Sequence, residues 1–315
     1  MSTTPKTTTY LEADAPEGGI RVPLATIEGA SDGPTLTVVA GVHGSEYVGI
    51  EAAKQLFDWI DPGQLRGRVR IVPCLNVPAF FGLSAHINPL DGKDPGRAFP
   101  GDREGSHTER LAELVWREVV EGSDYLIDVH GGDLEEELVE YSQVTLTGAA
   151  AVDAAAEGLA RVIDMPMFVR QPCPERPSET SSLFNIAARS GIPAVLVEAG
   201  SHGRLDFETV AVHFRGLRNV LHHLQMIPGE ATRENPNPLV LHRFLGIAAP
   251  ADGFWLPAIK KGAIVRKGQV VGELEDFFGN RVATIESPED AAVLGVMTIP
   301  PRREGEMLMG IATLA

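Results

Sequence analysis

Apolar and polar positions follow two rhythms between residues 35 and 225, and these rhythms separate candidate strands from candidate helices. Short runs rich in Val, Ile and Leu predict buried strands at residues 35–41, 68–75, 124–130 and 193–200. Apolar positions three and four residues apart predict amphipathic helices at residues 49–60, 106–120, 154–164, 182–190 and 206–225. This alternation predicts an α/β sandwich around a mixed, largely parallel sheet.

One helix start has a specific signal. Ser106 and Glu109 have the spacing of a capping box, in which each side chain bonds to a backbone N–H of the other residue. The apolar positions that follow have helical spacing, so a helix is predicted to begin at Ser106.

The pattern changes after a polar segment with several prolines at residues 227–238. Beyond it, short β-like runs are separated by Gly and Pro, which is typical of a small all-β module. We therefore predict a catalytic domain over residues 1–234 and a separate, smaller C-terminal all-β domain over residues 235–315.

Chemically useful side chains stand where three of the predicted strands end. His43 and Glu46 follow the first strand, His130 ends the third, and Glu198 lies in the fourth. Ligands of α/β sheets collect at the carboxyl ends of the strands, so we expect these four residues to converge. Two imidazoles and one carboxylate are a usual protein ligand set of a catalytic zinc, which leaves Glu198 as a base.

Each of these motifs taken alone also fits an ordinary polar group at a strand end. Their shared position, with glycines beside each of them, favours a common site where the backbone approaches a ligand closely. Asp128 precedes His130 by two residues, so both side chains lie on one face of the strand. It is either a partner that orients His130 or the acceptor of an unrelated buried hydrogen bond.

Composition excludes several other classes of protein. The chain has 315 residues and a formal net charge of -16, which argues against binding to nucleic acid or anionic lipid. No stretch of about 18 apolar residues is present, so no membrane span is expected. The first residues contain no apolar segment of signal-peptide length, and a cytoplasmic location is expected. The two cysteines, Cys74 and Cys173, are far apart and are expected to be reduced.

The motifs resemble those of the succinylglutamate desuccinylase and aspartoacylase family of zinc carboxypeptidase-like hydrolases. The segments that carry the resemblance are AGVHGSEYVG, LIDVHGG and LVEAG, together with a C-terminal stretch similar to the β-domain of these proteins. The resemblance implies a three-layer αβα sandwich with one zinc ion per chain, held by His43, Glu46 and His130. It also implies that metal-activated water cleaves the amide bond of a small N-acyl amino acid, with Glu198 as general base and acid.

The loop at residues 86–101 is where the family recognises its substrate. Arg97 matches a family arginine that binds a substrate carboxylate, for which a planar guanidinium is well suited. Gly96 stands where relatives have an asparagine, and His86 aligns with an arginine that polarises the scissile carbonyl. Arg97 also has a simpler interpretation as a loop residue paired with Asp91 or Asp94, and His86 has one as a structural residue.

Two alternatives remain beside an N-acyl amino acid deacylase. One is a metallocarboxypeptidase that acts on peptides, and the other is a metal-binding family member without catalysis, which the residues at 86 and 96 make worth testing. A serine hydrolase with a nucleophile elbow is not indicated, because the chain contains no G-x-S-x-G motif. For the C-terminal β-domain we expect a role in covering the cleft or in subunit contact within a homo-oligomer.

Overall fold

A computed structural model describes residues 5–173 and 182–314 of the protein. A short 3₁₀ turn at Pro95–Arg97 and a π-helical turn at Trp116–Val120 accompany the regular elements. Up to residue 223 these elements are β1 (Lys6–Ala13), β2 (Ile20–Glu28), β3 (Ser31–Ala40), α1 (Tyr47–Trp59), β4 (Arg66–Val72), α2 (Val77–Gly82), α3 (His107–Val115), β5 (Tyr125–His130), β6 (Glu136–Leu138), β7 (Tyr141–Leu146), α4 (Ala150–Ile163), β8 (Met167–Pro172), α5 (Leu183–Arg189), β9 (Ala194–Glu198) and α6 (Phe207–His223).

The remaining elements are all strands. They are β10 (Leu239–Ala248), β11 (Gly253–Pro257), β12 (Ile264–Val265), β13 (Val270–Glu275), β14 (Arg281–Glu286), β15 (Ala291–Met297), β16 (Pro301–Arg302) and β17 (Met307–Thr313).

The strands and helices predicted from periodicity are confirmed. The four predicted strands are β3, β4, β5 and β9, and the five predicted helices are α1, α3, α4, α5 and α6. The α3 start has its predicted geometry, because Glu109 Oε2 accepts a hydrogen bond from the backbone N–H of Ser106 at 2.9 Å.

Within the described residues, thirteen strands form one mixed sheet, and the other four form a second sheet. The middle of the large sheet has the order β4-β3-β5-β9, with every pair parallel. The pair β7–β9 is antiparallel, and antiparallel pairs also form both ends of the sheet, so the sheet is only partly parallel. The parallel block matters for function because it brings the carboxyl ends of β3, β5 and β9 to one edge.

Helices cover both faces of this block, as expected for a three-layer αβα sandwich. Alternate residues of β3 enter different cores, because successive side chains on a strand point to opposite faces. Leu36 and Val38 pack in one core with apolar residues of α1, α4 and α6. Val39 packs in the other core with apolar residues of α3 and α5.

The C-terminal part is all-β, as predicted, and four of its strands continue the large sheet. β10 runs parallel beside β8, and β17, β15 and β12 continue the same sheet. Only β14-β13-β11-β16 form a second sheet, which packs on the first around the buried Trp255. The physical reason is that β8 would otherwise present an unpaired edge. Residues 224–238 lie outside any strand or helix, and the boundary between 234 and 235 stays a prediction.

No helix among the described residues combines the length and apolar character that a membrane crossing requires.

The junction of the two parts can be tested at β10. Leu241 is fully buried in the core that includes α3 and α5, whereas Leu239 on the same strand is 39% exposed. We expect Leu241→Ala to lower the free energy of unfolding by about 2–5 kcal/mol, because it removes buried methyl groups and leaves a cavity. Leu239→Ala serves as the control and should cost about 1 kcal/mol or less. Urea unfolding measures both, and equal effects would contradict a shared core.

Candidate metal centre

Four side chains that the sequence singled out meet at the carboxyl edge of the parallel block. His43 lies in the loop between β3 and α1, and Glu46 is the N-cap residue of α1. His130 and Glu198 are the last residues of the adjacent strands β5 and β9, where they are register partners. The prediction that these residues converge on one site therefore agrees with their positions.

The carboxylate of Glu46 lies between the two imidazoles. Its Oε1 is hydrogen-bonded to His43 Nδ1 at 2.6 Å, and its Oε2 lies 3.1 Å from His130 Nδ1. Ligand atoms of the three residues all lie within 4.8 Å of one another. Glu46 makes no capping hydrogen bond to α1, so its side chain serves the cluster instead of the helix.

The far nitrogen of each imidazole has its own carboxylate. Asp94 Oδ1 is 3.2 Å from His43 Nε2, and Asp128 Oδ1 is 3.2 Å from His130 Nε2. Asp128 is almost completely buried, and its other oxygen accepts from the backbone N–H of Phe184 at 3.3 Å. Outer carboxylates of this kind fix the orientation of metal-binding histidines, and here they leave Nδ1 of each ring turned towards Glu46.

Burial and neighbouring opposite charges shift the pKa values of the three clustered residues. Burial opposes the charge on His43, but the Glu46 carboxylate and the bond to Asp94 raise its pKa to about 10. Burial likewise opposes the charge on His130, and Glu46 and Asp128 raise its pKa well above the usual value. The pKa of Glu46 is lowered, because the two imidazoles outweigh its burial. A divalent cation bound here would take the place of the protons between these groups.

The donor set fits a metal ion of the zinc type. Glu198 Oε2 is buried and lacks a hydrogen-bond partner among the described residues, and Glu46 Oε2 has only the imidazole of His130 beside it, at 3.1 Å. Buried carboxylate oxygens are normally satisfied, so the oxygen of Glu198 calls for a ligand. Two imidazoles and a carboxylate are ligands that zinc accepts in tetrahedral sites with one open position.

Glu198 borders a cavity of about 310 Å³ next to the cluster. Burial and the carboxylates of Glu46 and Glu136 hold its pKa well above the usual range, against the opposing effect of His130. Among the described residues the cavity is lined by Val42, His43, Asp94, Gly96, Arg97, Asp128, His130, Tyr141, Gln143, Ser182, Leu183, Phe184, Asn185, Leu196, Glu198 and Phe244.

The two substrate residues predicted from the loop at 86–101 differ in their placement. Arg97 lines the cavity at its rim, where its side chain is 84% exposed and its Nε is 3.3 Å from Asp94 Oδ2. The pairing with Asp94 that the sequence allowed is therefore present. A side chain at Gly96 would place its Cβ 3.1 Å from His43 Nε2, so a glycine leaves room for the Asp94–His43 contact.

His86 lies beside His43, with 5.6 Å between the ring centres, and is not among the cavity-lining residues. Both of its ring nitrogens have carboxylate partners, since Nδ1 is 3.0 Å from Asp133 Oδ2 and Nε2 is 3.2 Å from Glu135 Oε1. Burial opposes a charge on His86, but the bonds to Asp133 and Glu135 raise its pKa to about 11. The ring therefore carries a positive charge with no free N–H.

Two of the glycines beside the motifs lie against the protein's own backbone. A Cβ at Gly44 would lie 2.2 Å from the backbone nitrogen of Phe80, and one at Gly131 would lie 2.5 Å from the carbonyl oxygen of Ala199. Both glycines thus allow close packing of backbone segments around the site.

The sequence interpretation missed two polar side chains of the cavity. Tyr141 and Gln143 alternate on β7, and neither side chain has a hydrogen bond to a residue that the structure describes. Burial and the nearby Glu198 raise the pKa of Tyr141 well above its usual value, so its hydroxyl stays a donor. The sequence does contain a signal for them, because Tyr141 and Gln143 are two residues apart and so place polar groups on one face of a buried strand. The sequence indicates Asp94 only as a partner for Arg97, and its contact with His43 is visible only in the structure.

Comparisons with known proteins agree with this geometry. The family model of the succinylglutamate desuccinylase/aspartoacylase catalytic domain matches residues 32–224. The chain is 29% identical over 274 residues to an N-alpha-acetyl-L-2,4-diaminobutyric acid deacetylase of Halomonas elongata, covering 85% of this chain and 78% of the relative.

Solved structures show the same fold. A succinylglutamate desuccinylase/aspartoacylase from Rhodobacter sphaeroides has a TM-score of 0.85 at 23% identity, covering 100% of this chain and 97% of that one. The product-bound ectoine utilization protein of Ruegeria pomeroyi has a TM-score of 0.85 at 22% identity, covering 99% and 96%.

The contact between Asp128 and His130 predicts a loss of metal affinity without a loss of fold. Asp128→Asn keeps the shape of the side chain but removes the charge that orients His130, so we expect zinc to bind about 10- to 100-fold more weakly. Competition with a chromogenic chelator measures this affinity. Asp206→Asn is the matched control, because Asp206 accepts backbone N–H bonds at the start of α6 and asparagine is an equally good N-cap. Equal affinities in the two variants would contradict the role of Asp128.

Proposed function

The chain belongs to the succinylglutamate desuccinylase/aspartoacylase family, and from this premise we propose that it is a zinc-dependent deacylase of small N-acyl amino acids. The observation that carries the proposal is the convergence of His43, Glu46 and His130 within 4.8 Å of one another. Glu198 borders the cavity beside them, and one of its oxygens has no hydrogen-bond partner among the described residues.

In this proposal the three clustered residues hold one zinc ion and Glu198 handles protons. Zinc at this position supplies a Lewis acid and lowers the pKa of water towards about 7. Glu198 takes a proton from the attacking water and delivers it to the departing nitrogen of the amide. Its position at the cavity beside the cluster, where burial raises its pKa, supports this role.

The remaining cavity residues hold the substrate. Arg97 at the rim binds the carboxylate of the amino acid, for which it must exchange its contact with Asp94. Tyr141 donates a hydrogen bond from a hydroxyl that stays protonated. His86 stands beside the cluster and outside the cavity lining, where Asp133 and Glu135 hold both of its ring nitrogens and favour its protonated form.

The relative from Halomonas elongata suggests which substrate to test first. It is named for the deacetylation of N-alpha-acetyl-L-2,4-diaminobutyric acid. Asp94 and Asp128 line the cavity of this chain, and among the described lining residues Arg97 is the one lysine or arginine. A substrate with a carboxylate for the rim and an amine for the acidic interior suits this distribution of charge.

A cavity of about 310 Å³ also favours a small substrate over a peptide. We expect the zinc-loaded protein to release the acyl group from N-acetyl-2,4-diaminobutyrate or another short N-acyl amino acid. A chelator should abolish the reaction and added zinc should restore it. Assays of free amine over a panel of acylated amino acids and short peptides measure this. Faster cleavage of peptides would indicate a metallocarboxypeptidase, and zinc binding without hydrolysis would indicate a binding protein.

Two variants separate metal binding from proton transfer. Glu198→Gln should retain one zinc per chain but lower kcat by about 100- to 10,000-fold, because the proton carrier is lost. His130→Ala should lose the zinc itself, which elemental analysis measures directly. Glu208→Gln and His223→Ala, at exposed positions of α6, are the matched controls. Normal turnover in Glu198→Gln, or a full equivalent of zinc in His130→Ala, would refute the assigned roles.

A further inference from the structure

A chain of charged side chains links the four-stranded sheet to the loop that carries the metal ligands. Arg302 in β16 is buried, and its Nη1 donates to Glu135 Oε2 at 3.0 Å. The other oxygen of Glu135 is the partner of His86 Nε2 at 3.2 Å. Glu135 therefore stands between two cationic groups, one from each part of the chain.

The chain of contacts continues from His86 to the metal loop. Asp133 Oδ2 accepts from the backbone N–H of His86 at 2.6 Å and lies 3.0 Å from the same residue's Nδ1. The opposite oxygen of Asp133 accepts from the hydroxyl of Ser45. Ser45 stands in the sequence between the proposed ligands His43 and Glu46, and Asp133 and Ser45 are fully buried.

The backbone of this segment is also fastened to the C-terminal strands. β6 pairs with Gly295–Met297 of β15, and the carbonyl oxygen of Glu135 accepts from the N–H of Thr298 at 2.8 Å and from its hydroxyl at 3.0 Å. Glu135 thus has a fixed backbone and two fixed charge partners.

His86 needs such fixing because its backbone is unfavourable. Its φ is +53°, in the left-handed region that a residue with a side chain rarely adopts. Residues held in this region keep their conformation only when surrounding contacts impose it, and they occur often at functional sites. The hydrogen bonds that Asp133 and Glu135 accept from His86 supply those contacts.

From this geometry we propose that Arg302 is a positioning residue of the site, which acts through Glu135 to hold His86 against the metal loop. Arg302 Nε and Nη2 have no hydrogen-bond partner among the described residues, so Glu135 is the contact that compensates this buried charge there. The C-terminal β part therefore contributes to the reaction through a named side chain, beyond covering the cleft. This inference rests on the proposed deacylase function for its activity measurements.

The test is a double-mutant cycle in the full-length zinc-loaded protein. Arg302→Met should lower kcat/KM by about 10- to 100-fold, because small displacements of positioned groups have effects of this size. Arg302→Lys should recover part of the loss, since an ammonium can still pair with Glu135. In a His86→Ala background, Arg302→Met should cost nothing further, because residues that act through one another are non-additive. Arg303→Met, at the exposed neighbouring position, is the control.

An equal loss from Arg302→Met in both backgrounds would overturn the proposal, and so would unchanged kcat/KM with only a lower melting temperature. If Arg302→Met does not fold, Glu135→Gln replaces it in the same cycle. Crystal structures of the wild type and the variant give a result that does not depend on activity. We expect His86 to leave its place beside His43 in the variant, and an unmoved His86 would contradict the inference. A wild type that cleaves no substrate would instead refute the proposed function.

Discussion

The site depends on one carboxylate that is held between two imidazoles in a buried place. Glu46 bonds to His43 with one oxygen and faces His130 with the other, and the side chains of Glu46 and His130 are only 4% and 7% exposed. An unpaired carboxylate would be costly to bury there, so the histidines and the carboxylate require one another or a cation. The loop after β3, the start of α1 and the end of β5 each supply one of these three groups.

The parallel block of the sheet makes that meeting possible. β3, β5 and β9 run in the same direction side by side, so their carboxyl ends present residues at the spacing of neighbouring strands. His130 and Glu198 are register partners across one such pair. This pair gives the imidazole of His130 to the cluster and leaves the carboxylate of Glu198 at the cavity, where burial and neighbouring carboxylates raise its pKa.

The large sheet continues into the C-terminal part, whose residues contact the segment that leads into β6. Leu241 of β10 packs in the same core as α3 and α5. β15 pairs with β6, and Thr298, just after β15, donates to the carbonyl oxygen of Glu135. Arg302 then reaches Glu135 from the second sheet.

The sequence by itself determined the layers of the sandwich and the elements of the parallel block, because burial on one face imposes a period that can be read locally. It also predicted that His43, Glu46, His130 and Glu198 lie near one another, because the carboxyl ends of parallel strands meet at one edge. Only the tertiary structure decided that Asp94 contacts His43, that Tyr141 opens onto the cavity and that Arg302 pairs with Glu135. The ion pairs join loops and strand ends far apart in the chain, 51 residues in the case of Asp94 and 167 in the case of Arg302. Such pairings have no periodic trace in the sequence, since they depend on which strand edges join and how the loops between them fold back.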